Sequence, residues 1–266
     1  TCFSRACLRF FFCISLLLTS VACPSTASLP PGVSPVEATW LRAQVATAPA
    51  LTEKGYLYQF HGTAREGDSW LAKVKQKLKP GASAPAVIWL HGCEGPDQQD
   101  KHALRIFALA GYSVFAPDSF ARPGRRALCK SGNMDSRVAL RQEEVRYALS
   151  QIRSFAWVDQ DRLLLGGFSE GSQAVAAWGG SEFRAHVLIG TDCRYSGGTP
   201  SAPAGVPVLN LVGANDSWGY GSGCSLSAAQ RAQGSLDKRY RGMGHAILYA
   251  QEVEAEVKAF LGNLGS

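Results

Sequence analysis

The sequence predicts an α/β protein: a mostly parallel, doubly wound sheet with helices on both faces, in a single domain. Three observations carry this. Short runs such as Ala86-Val87-Ile88-Trp89-Leu90 and Leu163-Leu164-Leu165 are apolar throughout, as strands covered on both faces are. They alternate with longer helical stretches, the order that parallel strands and crossover connections require. The 266 residues, 46% hydrophobic and 18% charged, suffice for one large core and have an ordinary globular composition.

Residues 1–27 have the layout of an export signal: Arg5 and Arg9, an apolar run from Phe10 to Leu18, then Ser25-Thr26-Ala27 before Ser28. The run is short for a bilayer span. Lipidation at Cys23 is the lesser alternative, because Ser20 suits the start of a lipoprotein box poorly. The expected location is therefore exported, periplasmic or secreted. The formal charge is +6, and setting aside the two leader arginines leaves +4, too small and scattered to imply nucleic acid. No later segment is long and apolar enough to span a membrane.

Residues 28–55, rich in Pro and Ala, are expected as an extended lead-in with one short helix near Val36 to Val45. The domain itself then covers residues 56–266. Tyr56 to Phe60 alternates like a strand, and the apolar positions between Trp70 and Leu78 predict a half-exposed antiparallel strand ended by Pro80-Gly81. Further strands are expected at 86–90, 112–116, 163–165, 186–189, 208–212 and 236–240. Helices are expected near 101–110, 135–155, 173–178 and 245–261. No internal repeat or low-complexity linker interrupts the series.

Of eight cysteines, four lie in the leader, leaving Cys93, Cys129, Cys193 and Cys224. An even number in an exported chain predicts two disulfides. Four cysteines allow three pairings; Cys193 with Cys224 is expected because both follow neighbouring late strands, which leaves Cys93 with Cys129.

In doubly wound sheets, functional groups gather at the carboxyl ends of the strands. Those ends here carry His91-Gly92-Cys93-Glu94-Gly95, Pro117-Asp118-Ser119-Phe120, Ser169-Glu170, Asp192-Cys193, Asn215-Asp216-Ser217 and Gly244-His245. Gly167-Phe168-Ser169-Glu170-Gly171 is a Gly-x-Ser-x-Gly pattern between a short strand and an Ala-rich helix, where a tight turn exposes the serine hydroxyl. By itself the pattern also fits an ordinary Gly-rich turn. It does not complete the dinucleotide fingerprint G-x-G-x-x-G. Serine, acid and histidine follow in the order Ser169, Asp216, His245, the order of α/β-hydrolases.

These motifs, with Gly213-Ala214-Asn215-Asp216 and Gly242-Met243-Gly244-His245, make the chain resemble an α/β-hydrolase of the dienelactone hydrolase type from about Tyr56 to Leu261. That family carries cysteine as nucleophile. Serine at position 169 instead favours a general carboxylester hydrolase. The expected roles are Ser169 as nucleophile, His245 as its base and Asp216 as the group that orients the imidazole. The backbone N–H groups of Glu170 and Cys93 would meet the oxyanion.

Each role has a rival. Asp216 fits a turn residue, Asp192 is a second candidate acid, and His245 fits a helix cap. His91, Cys93 and Glu94 lie too close together on one loop, with no second cluster, to suggest a metal. Arg122, Arg125 and Arg126 pair with Glu94 and Glu170, attract an anionic substrate, or, as such runs more often do, form a solvated basic loop; Trp218 and Tyr220 fit pocket walls and core aromatics equally. His61, His102 and His186 are expected to be structural or solvated.

The expectation is an exported serine hydrolase acting on a small-molecule ester through an acyl-enzyme, with no metal or organic cofactor. A serine peptidase on the same fold, or a non-catalytic binding or envelope protein, are the alternatives.

Overall fold

The computed structural model describes residues 29–62, 69–129 and 133–264; the expected export signal and Cys23 lie outside the described residues. The elements in order are α1 (Pro35–Leu41), β1 (Gln44–Thr47), β2 (Tyr58–His61), α2 (Trp70–Lys75) and β3 (Ala84–Leu90). Then come α3 (Gln98–Leu109), β4 (Ser113–Ala116), α4 (Met134–Ile152), β5 (Val158–Phe168) and α5 (Glu170–Ala176). The chain continues with β6 (Ala185–Ile189), β7 (Val208–Gly213), α6 (Ala228–Ala232), β8 (Leu236–Tyr240) and α7 (Gln251–Leu264).

All eight strands form one sheet in the order β2-β1-β4-β3-β5-β6-β7-β8. From β4 to β8 every neighbouring pair is parallel, while β1 runs antiparallel to both β2 and β4. The apolar runs divide by the two-residue period of a strand. Ala86, Ile88 and Leu90 of β3 point into a core shared with α4 and α5. Val87 and Trp89 point the other way, into a core shared with α3 and α7. This is why the central strands read as continuously apolar: neither face meets water.

Two stretches differ from the sequence expectation. Residues 70–78 are not a strand; Trp70–Lys75 form α2, with the Ser69 side chain accepting from the Leu71 N–H at 3.2 Å. The two-residue alternation is real, but Trp70 and Val74 also stand one helical turn apart. Both are buried together, while Ala72 between them and Lys75 after them are exposed.

Residues 28–55 are also more than a lead-in. Val36–Val45, expected as a single helix, ends at Leu41, and the next residues make β1, a fully buried strand inside the sheet. Ser34 and Glu37 form a capping box at the start of α1.

Trp40 of α1 anchors this segment. Its ring lies 5.0 Å from that of Trp70, 5.7 Å from Phe115 and 6.3 Å from Phe155, and its carbonyl accepts from the Trp70 indole N–H at 3.0 Å. No helix among the described residues is long and apolar enough to cross a membrane. Because the Trp40 ring fills the centre of an aromatic cluster, Trp40→Ala should cost about 3–5 kcal/mol of unfolding free energy. Urea denaturation checks this; a loss under 1 kcal/mol would mean that the N-terminal segment is not integral to the core.

Candidate active site

Strand order reverses between β3 and β5: β3 is followed across the sheet by β4 on one side, and β5 by β6 on the other. Connections leaving the two carboxyl ends therefore diverge, which opens a crevice between them. The loop His91–Gly95 leaves from β3, and Ser169 sits where β5 turns into α5.

Ser169 has φ 52° and ψ −115°, outside the regions that L-residues favour. Such a conformation costs on the order of 1–3 kcal/mol and persists only where the surroundings impose it. They do. A Cβ on Gly167 would lie 2.7 Å from the carbonyl carbon of Gly171, and one on Gly171 would lie 2.1 Å from the Leu90 oxygen. Only glycine fits at either flank. The turn is pinned to β6 by the Ser169 N–H, which donates to the Ile189 carbonyl at 2.9 Å. Ser172 adds a second tie, its hydroxyl donating to the Gly167 carbonyl at 2.5 Å and accepting from the Ile189 N–H at 2.8 Å.

Asp216 and His245 arrive from the exits of β7 and β8, joined by the Ala214 N–H to Tyr240 carbonyl and Asn215 N–H to Met243 carbonyl hydrogen bonds, both 2.9 Å. His245 Nδ1 lies 2.6 Å from Asp216 Oδ2, and Asp216 Oδ1 accepts from the Trp218 N–H at 2.7 Å. A carboxylate can only accept, so Nδ1 carries a proton, and in the neutral ring Nε2 then holds the lone pair. The imidazole packs at a tilt among Phe168 at 4.9 Å, Trp218 at 5.7 Å and Tyr220 at 5.8 Å between ring centres. Ser169 and His245 line the same cavity of 120 Å³. A serine on a strained strand-to-helix turn of a largely parallel sheet, followed in the chain by an acid and a histidine from later strand ends, decides the architecture. The chain has the α/β-hydrolase fold.

No protein-family model matches the sequence, and no curated protein matches it. Similar solved structures include an acylaminoacyl peptidase in complex with Z-Gly-Gly-Phe-chloromethyl ketone, 14% identical over 71% of this chain, with a TM-score of 0.48. This chain spans only 38% of that one. An esterase of Pyrobaculum calidifontis is 15% identical over 71% of this chain and 79% of its own, with a TM-score of 0.48. A chain from Klebsiella pneumoniae named as a dienelactone hydrolase is 20% identical over 69% of this chain and 89% of its own, with a TM-score of 0.44.

Both disulfides join the expected partners, Cys93 with Cys129 and Cys193 with Cys224, each with Cα atoms 5.2 Å apart. The first ties the loop after β3 to the segment holding Arg122 and Arg125. The second ties the turn after β6 to the loop that follows Asp216. Asp192, the rival acid, is committed elsewhere: its oxygens accept from Arg194 Nε at 3.0 Å and Nη2 at 2.7 Å. His91 is fully buried, with Nδ1 2.7 Å from the Gly92 carbonyl. Its Nε2 meets two donors, the Ser119 N–H and Arg141 Nη1, each at 3.0 Å. Burial first, and then the Arg141 charge, hold its pKa well below the ordinary value, so the ring is a neutral spacer under the loop.

The arginines differ from one half of the expectation. Arg122 and Arg125 do not line the cavity. Arg125 is bonded to the buried Glu170 carboxylate, which Arg137 also approaches at 3.4 Å. Arg122 donates to Glu144 at 3.0 Å and Glu143 at 2.9 Å, and Glu144 also faces Arg141 at 3.3 Å. Both therefore serve as partners for internal carboxylates. Trp218 does line the cavity, as do Cys93 and Glu94. Sequence reasoning missed Asp97 and Gln99 on the same wall, and Arg137 and Arg141 behind it. Only Asp97 left a local signal, as the acid preceding a helix and capping it through Gln99 N–H at 2.7 Å.

Arg125→Ala would leave Glu170 buried with one distant partner and should cost about 3–5 kcal/mol in a urea titration. No loss of stability would mean the pair is not closed in solution. Asp100, behind Asp97, accepts from the Trp89 indole N–H at 2.8 Å, yet burial raises its pKa to about 7. The folded state thus prefers it protonated. That stability is full below the unfolded value near 3.8 and is lost as pH rises through about 7, on the order of 4 kcal/mol in all. Unfolding free energy of the wild type, measured relative to Asp100→Asn, should therefore fall between pH 4 and pH 8; a constant difference would contradict the shift.

Proposed function

We propose that this chain is an exported serine hydrolase that cleaves a small carboxylic ester through an acyl-enzyme. The observation that carries the reading is the 2.6 Å contact of Asp216 with His245 Nδ1, which leaves the Nε2 lone pair available beside a cavity that Ser169 also lines. A neutral serine hydroxyl is a weak nucleophile until a base takes its proton.

In the proposed reaction, the Ser169 oxygen attacks the ester carbonyl while His245 Nε2 accepts the proton. Asp216 stabilises the imidazolium without itself being protonated. The developing oxyanion receives the N–H of Glu170, which as the first residue of α5 has no intrahelical acceptor, and the N–H of Cys93 across the cavity. Collapse breaks the ester bond, and His245 returns its proton to the departing alcohol. Water then repeats the sequence on the acyl-serine and releases the acid.

One feature favours a small ester over a peptide. The cavity beside Ser169 is small, about 120 Å³, which suits a short acyl or alkyl group. Export is supported by the two disulfides, since such bonds persist in oxidising compartments.

The test is hydrolysis of a short-chain nitrophenyl ester together with fluorophosphonate labelling. Ser169→Ala should abolish labelling and lower kcat on the order of 10⁶-fold, and Asp216→Asn should lower it about 10⁴-fold. A chelator should change neither rate. Equal activity in the wild type and in Ser169→Ala would place the nucleophile elsewhere; no activity and no labelling in either would favour a binding protein.

A further inference from the structure

A second cavity, of 180 Å³, lies on the far side of the loop after β3. Gly95 and Asp97 line the cavity beside Ser169, whereas Pro96 between them lines this one. The two cavities have no residue in common. The other walls of the second are Arg42 after α1, Gln44 at the start of β1, His61 and Gly62 at the end of β2, and Asp118 after β4. Sheet register brings them together, because Gln44 stands opposite His61 on one side and Ala116 on the other. Residues directly opposite in an antiparallel pair point to the same face of the sheet.

Gln44 is 4% exposed, and its side-chain amide makes no hydrogen bond among the described residues. Its amide atoms are not sealed off, so the little surface they keep opens into the cavity that Gln44 lines. Such an amide costs free energy unless the cavity holds a partner for it. Arg42 is anchored at one corner, with Nη2 2.9 Å from Asp118 Oδ2. Its remaining N–H groups meet no acceptor among the described residues. Asp118 is already engaged, its Oδ1 accepting from the Phe120 N–H at 2.9 Å. Lys101 of α3 brings a further positive charge. Burial first, and then the charges of Lys101 and Arg42, hold the His61 pKa down against the opposing effect of Asp118. Two cations thus surround one carboxylate.

We propose that this second cavity binds a small monocarboxylate, its oxygens received by the unused N–H groups of Arg42 and by the Gln44 amide. A planar carboxylate matches the edge of a planar guanidinium, and an amide adds a further donor. The surplus of one positive charge suits a single negative one. A phosphate dianion would set a second negative charge beside Asp118, and an ammonium ion would face Arg42 and Lys101. The site does not depend on the serine-hydrolase reading, although the acid released in that reaction belongs to the same chemical class.

The experiment titrates sodium acetate into the protein at pH 8, replacing sodium chloride at constant ionic strength, and follows the ring signals of the five histidines by NMR. His61→Asn assigns the signal of interest. That signal should shift and saturate with a dissociation constant on the order of 1–10 mM, while the His245 signal stays in place. Arg42→Lys keeps a charge for Asp118 but loses the fork, and Gln44→Leu keeps the volume but loses the donors. Each should weaken acetate about fivefold or more, with the histidine signals before acetate showing that the variant is folded. No saturable shift of His61 in the wild type would overturn the site, and so would an acetate affinity unchanged in both variants. A shift confined to His245 would place acetate in the cavity beside Ser169 and overturn it as well. Sodium phosphate binding more tightly than acetate would overturn the monocarboxylate assignment. Fluorophosphonate labelling of Ser169 is read separately, so the site and the serine-hydrolase reading can each fail alone.

Discussion

The approach of the β5 turn to the end of β3 is the constraint on which the site depends. Gly171 lies so near the Leu90 and His91 carbonyls that a single carbon added to it would fall 2.1 Å from the first and 2.8 Å from the second. That closeness forces Ser169 into its positive-φ conformation. It also places the Cys93 loop and the start of α5 on two sides of one small cavity. A larger residue at position 171 would separate the two strand exits, and with them every group the proposed chemistry requires.

Electrostatics then orders the surroundings of the turn. Behind the turn, arginines outnumber the carboxylates they meet: Arg125 and Arg137 on Glu170, Arg122 and Arg141 on Glu144. A carboxylate at Glu170, next to a proposed oxyanion donor, would oppose negative charge in the cavity unless neutralised. The pairs supply that neutralisation, and the Cys93–Cys129 disulfide holds the arginine-bearing segment against the loop after β3.

Much of the fold was legible because parallel strands buried on both faces leave a pattern that few other structures share. The runs at 86–90, 163–165, 186–189 and 208–212 all lie inside observed strands. Where an element has one face or a short length, the pattern loses its meaning. Trp70 and Val74 satisfy both a strand and a helix, and the Ser69 cap settles the matter locally. Residues 44–47 carried no recognisable signal amid prolines and alanines, because a four-residue strand owes its existence to the neighbours that pair with it. The arginines near 122–126 could be read as pairing or as substrate-binding, since a charge in a loop does not announce its partner.

The sequence by itself determined the backbone chemistry of the site. Gly-x-Ser-x-Gly at the end of an apolar strand admits few conformations, and Asp216 and His245 follow at strand ends. The strand order that brings those ends together was not written locally. Neither were the choice of Asp216 over Asp192 or the pairing of Arg125 with Glu170. Those depend on groups distant in the chain that meet only when the sheet closes, and burial then decides which charges must find partners. Local sterics can be read one turn at a time, but the energy of a buried charge belongs to the whole fold.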